Sequence, residues 1–414
     1  MNPGDHPDFF YIYKKVFAGK YIEKQKIVAI ASPAMPPKST SLIVVIPCFR
    51  EPDILKTLDS LAECNHPNGK VEVIVLINHP EDALPQEVVF NKKTYEDVRY
   101  WHKVNHPFFT IPDIEPIPLP KKWAGAGLAR KKGMDEAARR FNTLNKPDGL
   151  IVSLDADTLV DKNYFEEIEK HFQNNSTHIG ATLAFRHQTE GVEPKLKEGI
   201  TLYEKYLHYY RGALAYTGYP YALFTIGSAF VVTAGAYVKR GGMNRRKAGE
   251  DFYFLQNLTR QGTIGEIKTT CVYPSARVSD RVPFGTGPIL QKWLDGTENL
   301  NLTYNFEAFA RLKTLFDRKE GLYKISELNY NRLLKSLPEP VSEFLIHDGF
   351  YSQLSGLNKN CSTLLIFQKR FFELFNAFKI LKFLNYSHEK FYRKEDLYKQ
   401  NERLQNISSN NYMP

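Results

Sequence analysis

Apolar positions along this chain follow two alternating rhythms. The unbroken run LIVVIP at 42–47 has strand length, and the segment after it repeats Ile54, Leu55, Leu58 and Leu61 at helical spacing. After the turn sequence HPNGK at 66–70 comes a second strand candidate, VEVIVLIN at 71–78. A glycine-bearing turn then opens a helical pattern over 123–141, and GLIVSLDAD at 149–157 supplies a third strand. Strands that are apolar at every position have no solvent face. The alternation therefore predicts an α/β fold, an open, mostly parallel twisted sheet with helices on both faces.

The rhythm changes at both ends. Residues 1–40 read as an N-terminal arm closing on the linker-like SPAMPPKSTS, 41–290 carry the strand–helix alternation, and 291–414 read as a helical C-terminal region interrupted by LPEP at 337–340. Within that region Leu364, Phe367, Phe371, Leu374, Phe378 and Leu381 form an apolar stripe flanked by Lys369, Arg370, Lys379 and Lys382. Core packing explains such a stripe, and lying on an anionic membrane is the second reading. The uncharged stretch 221–238 contains glycines, hydroxyl residues and tyrosines, and its β-branched cluster fits a buried strand better than a membrane span.

A chain of 414 residues exceeds one ordinary core. Its 55 Lys and Arg against 46 Asp and Glu give a net charge of +9, which suits phosphorylated ligands, an anionic membrane surface or nucleic acid alike. No tight basic run interleaved with aromatics occurs in the first 300 residues, so a nucleic-acid partner is not expected. Cys48, Cys64, Cys271 and Cys361 are too widely and irregularly spaced for a zinc site or a disulfide framework, which indicates a reducing compartment. The N-terminus carries acids and a proline before any apolar run and does not read as a signal peptide. The expectation is a cytoplasmic protein.

Candidate chemistry starts where the third strand ends. Asp155 and Asp157 stand one residue apart, and two such carboxylates repel unless a cation compensates them. Ligands of open parallel sheets bind at the carboxyl ends of strands, near the point where strand order reverses. A divalent cation shared between a carboxylate and the oxygens of a diphosphate would serve here: Mg²⁺ takes one or two carboxylates plus phosphates and water, and Mn²⁺ has similar ligand taste. The plain alternative is a turn capped by Asp157 beside a solvated Asp155. Arg50 and Glu51 close the first strand and Asn78 the second, so all would line one cleft. In GAGLARKKG, 125–133, the glycines admit close backbone approach and Arg130 or Lys131 can meet a phosphate, but neither the full G-x-G-x-x-G nor the Walker pattern is present. Glu250 and Asp251 open another helical segment. They either favour its dipole or place Asp251 as a general base, with Gly249 admitting an acceptor.

In their order and spacing, P-C-F-R-E at 47–51, G-A-G-L-A-R-K at 125–131, D-A-D at 155–157, G-G-M at 241–243 and G-E-D at 249–251 resemble the family 2 nucleotide-sugar glycosyltransferases of the A-type fold. The resemblance covers roughly 41–290, making that segment the catalytic domain. It implies inverting transfer of a sugar from a nucleotide-diphosphate donor, with Mn²⁺ or Mg²⁺, to a hydroxyl acceptor: a glycan, a lipid-linked sugar or a small molecule. By motif it assigns Glu51 and Asn78 to the nucleoside, Arg130 to the donor, Asp155 to ribose or metal, Asp157 to the metal and Asp251 to the base.

Two departures from the family pattern stand out. The second strand ends in Asn78-His79-Pro80 where an aspartate pair is usual, and the Q/R-x-x-R-W signature of processive synthases is absent. Its nearest counterpart is RVSDRVPFGTG at 277–287, where Arg277 and Arg281 could hold the leaving diphosphate. A single addition is therefore expected, by a protein with at most peripheral contact with the inner face of a membrane through its C-terminal helices. Two alternatives remain: a D-x-D phosphotransferase or phosphatase of the haloacid dehalogenase kind, with Leu159 where that pattern wants Thr or Val, and a non-catalytic nucleotide-sugar-binding relative.

Overall fold

A computed structural model of the chain describes residues 16–31, 34–246, 249–279 and 285–410. Packing divides it into two compact units, one of residues up to 193 with 225–291, the other of 194–224 with 292–414. The helix at Pro194–Tyr216 thus groups with the C-terminal helices, whereas the sequence pattern had placed it within 41–290.

The first unit is built on an eight-stranded sheet in the order β3-β2-β1-β4-β7-β6-β8-β5. The strands are β1 (Thr40–Cys48), β2 (Lys70–Pro80), β3 (Ile117–Leu119), β4 (Leu150–Ser153), β5 (Leu159–Val160), β6 (His178–Phe185), β7 (Phe230–Thr233) and β8 (Thr263–Tyr273). β3, β2, β1 and β4 are mutually parallel, with Val44 beside Val73 and Val152. β7 runs antiparallel to β4 and β6, β8 runs parallel to β6, and β5 antiparallel to β8. The sheet is accordingly mostly parallel but mixed. The three strand candidates of the sequence are β1, β2 and β4, and Phe230–Thr233, from the uncharged stretch, is a buried inner strand. No helix among the described residues is long and apolar enough to cross a membrane.

Helices cover both faces because alternate strand residues point to opposite sides. On one side Ile43, Val45, Ile74, Leu76, Ile151 and Phe230 pack with Leu128, Met134 and Phe141. Those last three belong to a long helix, Ala126–Leu144, which also brings Arg140 onto Glu72 of β2 through a buried two-pronged pair at 2.6 and 2.8 Å. On the other side Val75 and Ile77 face Val98 of the helix Pro85–Asn105. In chain order the helices of this unit are α1 (Gly19–Gln25), α2 (Ile54–Ala62), α3 (Pro85–Asn105), α4 (Ala126–Leu144) and α5 (Tyr164–Asn174); after α6 (Pro194–Tyr216) of the second unit come α7 (Ala234–Arg240) and α8 (Glu250–Leu258). The N-terminal arm is less peripheral than its sequence implies, since Tyr21 of α1 is buried and donates to Asp135 of α4 at 2.6 Å.

The second unit is helical. Its core holds Phe316, Phe344, Phe350, Phe371 and Phe375 in mostly edge-to-face contact. The apolar stripe at 364–381 does not form one face: it is split into Leu364–Leu374 and Ala377–Lys390, with Asn376 capping the second helix. Phe367 and Phe371 are fully buried, and Lys379 is tied to Asp348 and to Gln353. Core packing explains the middle of the stripe, leaving Leu364 and Leu381 at the surface.

Candidate active site

β1 has β2 on one side and β4 on the other, so strand order reverses at β1 and a crevice opens beyond its carboxyl end. Asn91 of α3 accepts from the backbone N–H of Arg50 at 3.2 Å and donates to the carbonyl of Asn78 at 2.7 Å. Asn78 in turn donates its side-chain amide to the carbonyls of Cys48 and Leu76, at 3.0 and 3.2 Å. This clasp fixes the ends of β1 and β2 side by side. It also engages the Asn78 amide with the backbone, so the residue lies at the expected strand end but serves the fold directly.

The Asp155-Ala156-Asp157 turn is held through its backbone. Thr158 N–H donates to the Asp155 carbonyl at 3.2 Å, the Thr57 hydroxyl of α2 to the Ala156 carbonyl at 3.0 Å, and the Gln188 amide to the Asp157 carbonyl at 2.9 Å. Both carboxylates are thereby left to other partners. Asp155 accepts from Arg130 Nη2 at 2.8 Å, while Arg130 Nε meets Glu250 Oε1 at 3.0 Å and Nη1 meets Ser153 Oγ at 2.7 Å. Burial opposes the charge of Arg130, and Asp155 and Glu250 outweigh it, so its pKa is raised. Lys131, the alternative phosphate partner, is buried and bound to Asp135 at 2.8 Å, outside this network.

Asp251 stands in the first turn of α8, next to Glu250, and is half-buried. Burial and the adjacent Glu250 carboxylate push its carboxyl up to about 7, against the opposing pull of Arg130 and of the Phe252 N–H donated to Oδ1 at 2.7 Å. Gly249 caps this helix at φ 69°, a left-handed conformation that costs a residue with a Cβ. The chain before it passes so close to α4 that a Cβ on Gly127 would lie 1.9 Å from the Arg246 carbonyl oxygen. The backbone admitted by that glycine is the chain's own.

Arg277 crosses from β8 to the acids of the other strand ends. Its guanidinium contacts Glu51, reaches Asp157 Oδ2 at 3.3 Å and Asp53 Oδ2 at 3.2 Å. Arg281 lies outside the described residues. The structure thus brings Glu51, Asp157 and Arg277 into one group, and Arg130, Asp155 and Asp251's neighbour Glu250 into another. Asp53 and Ser153 are partners that the sequence did not single out, and Glu250 was read only as the dipole-favoured neighbour of Asp251; only the fold brings all three to arginines.

Hard carboxylate oxygens beside a turn suit Mg²⁺ or Mn²⁺, and Asp157 with Asp155 would offer the one or two protein ligands such ions take when substrate phosphates complete the shell. Among the described residues no three His, Cys, Asp or Glu side chains gather closely enough to hold a metal unaided. The donor set fits a cation completed by substrate.

Acids and arginines gathered at a sheet's switch point suit an enzyme that handles an anionic substrate, and comparison of sequences defines the class: the chain is a glycosyltransferase. Residues 43–237, a little under half of the chain, match the model described as Glycosyl transferase family 2. No curated protein matches it. Among solved structures it is similar to residues 1–349 of S. aureus TarS in complex with UDP-GlcNAc, with 13% identity, 81% of this chain and 92% of that chain covered and a TM-score of 0.43. It is also similar to the mannosyltransferase PcManGT from Pyrobaculum calidifontis in complex with GDP-Man and Mn²⁺, with 12% identity, coverages of 87% and 98% and a TM-score of 0.38. The longer S. aureus TarS structure is matched over 45% of its own length and 70% of this chain, at 14% identity and a TM-score of 0.38. These likenesses are too remote to assign donor or acceptor.

Proposed function

We propose that this protein is a metal-dependent, inverting glycosyltransferase that moves a single sugar from a nucleotide-diphosphate sugar to a hydroxyl acceptor, with 41–290 as its catalytic portion. The observation that carries the reading is Asp251: a carboxyl pushed up to about 7 at a helix start, linked through Glu250 and Arg130 to the Asp155 turn. A base matched to neutral pH is what proton removal from a hydroxyl requires. In an inverting displacement the acceptor oxygen attacks the anomeric carbon opposite the departing diphosphate. Asp251 takes the hydroxyl proton as the carbon–oxygen bond to the diphosphate breaks, and Arg277 receives the charge of the leaving group.

Asp157, with Asp155, would hold Mg²⁺ or Mn²⁺, which when bound stabilises the negative charge on the departing diphosphate. Glu51 would face the nucleoside. Asn78 contributes there through the clasp that sets the strand ends. The absence of the Q/R-x-x-R-W pattern supports one addition rather than polymerisation. The acceptor is a glycan, a lipid-linked sugar or a small molecule.

The test is a panel of nucleotide sugars assayed for hydrolysis and transfer with Mn²⁺, with Mg²⁺ and with chelator, followed by NMR of the product's anomeric centre. Transfer with inverted configuration that needs metal supports the reading. Retained configuration, or full turnover under chelation, overturns the corresponding part of it.

A further inference from the structure

Arg277 does more in this structure than stand near a future leaving group. Its guanidinium lies on Glu51, Asp53 and Asp157 together, and so occupies the carboxylate assigned to the metal and the one assigned to the nucleoside. Glu51 is almost wholly buried, its side chain 1% exposed, and a buried carboxylate is costly unless hydrogen-bond donors or a cation meet it. Arg277 supplies it, while its own side chain stays 27% exposed and so has room to leave. Burial works against its charge and the Glu51 contact restores it, so the guanidinium stays protonated.

Resting on the metal-dependent reading above, we propose that Arg277 is a placeholder cation: it neutralises the donor-site acids in the empty enzyme and is exchanged for metal and donor, passing to the donor's diphosphate as they enter. The chemistry of exchange is favourable at each end. A guanidinium bridges carboxylates and phosphates with the same planar set of donors, so the two phosphates offer it a replacement for what it gives up. Asp157 exchanges a monovalent partner for a divalent one. Glu51 exchanges its partner for hydrogen-bond donors of the nucleoside, leaving Oε1 on the Asp53 N–H at 3.0 Å.

The exchange has a thermodynamic consequence. Metal alone must displace Arg277 with no diphosphate to receive it, so the empty enzyme binds metal weakly. Metal and donor together share a single displacement, which makes their binding mutually strengthening, and by linkage the strengthening is equal in both directions. Unproductive metal capture and donor binding without metal are both disfavoured by one side chain.

The experiment measures Mn²⁺ binding to the full chain by electron paramagnetic resonance, in the absence and presence of UDP or GDP as probes. Wild type, Arg277→Gln, Arg277→Lys and the double variant Arg277→Gln/Asp157→Asn are compared, with circular dichroism as the folding control. Arg277→Gln is expected to bind Mn²⁺ without nucleotide about tenfold or more tightly than wild type, and to show less strengthening by nucleotide. Arg277→Lys, which keeps the charge but cannot bridge three acids, falls between them, and the double variant loses the gain. Equal or weaker Mn²⁺ binding by Arg277→Gln overturns the proposal while leaving the metal-dependent reading intact. No Mn²⁺ binding by any variant, with either nucleotide, overturns that reading and this proposal with it.

Discussion

Arg130 holds Asp155 at 2.8 Å and Glu250, 120 positions further along the chain, at 3.0 Å with the same guanidinium, tying the end of β4 to the first turn of α8. Two motifs far apart in sequence thus share one buried cation, whose side chain is 4% exposed. Asp251 inherits its position from this link, because Glu250 is its chain neighbour.

Replacing Arg130 with Met should therefore act on stability first. Glu250, with its side chain 5% exposed, would be left buried without its cation, and removing one partner of such a pair typically costs about 3–5 kcal/mol. Thermal melting at neutral pH should show that loss. A variant that melts like wild type at neutral pH would show the pair to be dispensable.

Glu250→Gln tests the electrostatic setting of the base. The Glu250 carboxylate raises the Asp251 pKa, so a neutral amide of the same shape should let Asp251 ionise at lower pH. The acidic limb of kcat/KM, expected near 7 in wild type, should move downward in the variant. An unmoved or upward-shifted limb would show that Glu250 is not what perturbs the base.

Asp157→Ala should abolish transfer while leaving melting behaviour near that of wild type, since its side chain is 20% exposed and its pairing with Arg277 is partly solvated. Wild-type activity should vanish with chelator and return with Mn²⁺ or Mg²⁺. Metal stabilisation of a departing diphosphate is worth several kcal/mol, so residual turnover in the variant should be about 10³-fold or more below wild type.

The sheet was legible in the sequence because β1, β2 and β4 are buried on both faces, and full burial shows as largely apolar runs. The later strands were harder to read. β7 has only four residues within a stretch whose glycines and tyrosines blur any period, and its antiparallel direction depends on pairing partners distant in sequence. Glu51, Asp155 and Asp157 were named because they stand just beyond strand ends, and Asp251 because it opens a helical pattern. What sequence could not reveal was which arginine serves which acid: Arg277 meets Asp53 across 224 positions, and no local pattern encodes that. The close backbone approach that Gly127 admits was legible too, but only the fold identifies the approaching backbone as that of Arg246.

Gly127→Ala probes the close approach of α4 to the Arg246 backbone. Alanine gains up to about 1 kcal/mol over glycine inside a helix, which helps α4 locally. Its Cβ would meet the Arg246 carbonyl at 1.9 Å, so the segment that leads to Asp251 must shift. A displacement of about 1 Å at a catalytic group can cost roughly 10²-fold in rate. The expected result is kcat/KM down by about that factor together with a lower melting temperature, because the neighbour that must yield is backbone; full activity would mean that the segment is free to move without moving the base.

Asp251→Asn joins mechanism and stability in opposite directions. Asn keeps the shape and can accept the Phe252 N–H, but it has no basic oxygen, so the transfer rate should fall about 10²–10⁴-fold with donor affinity unchanged in calorimetry. For stability, the folded carboxyl is raised to about 7 from its ordinary value of 3.8, so the folded state favours its protonated form. Whatever stability that protonation confers is complete at pH values below about 4 and is lost as pH rises through about 7, where wild type must hold a carboxylate in a site that disfavours it. The neutral amide escapes that cost. The stabilities of the two proteins should therefore keep a constant offset below about pH 4, diverge in favour of Asp251→Asn between about pH 4 and 7, and keep the new offset at higher pH, a change of at most about 4 kcal/mol for a shift of this size. A variant that transfers sugar at the wild-type rate removes Asp251 from the mechanism. One that is inactive but gains no stability at alkaline pH leaves it in place as the base and shows that its carboxyl is not held up by burial.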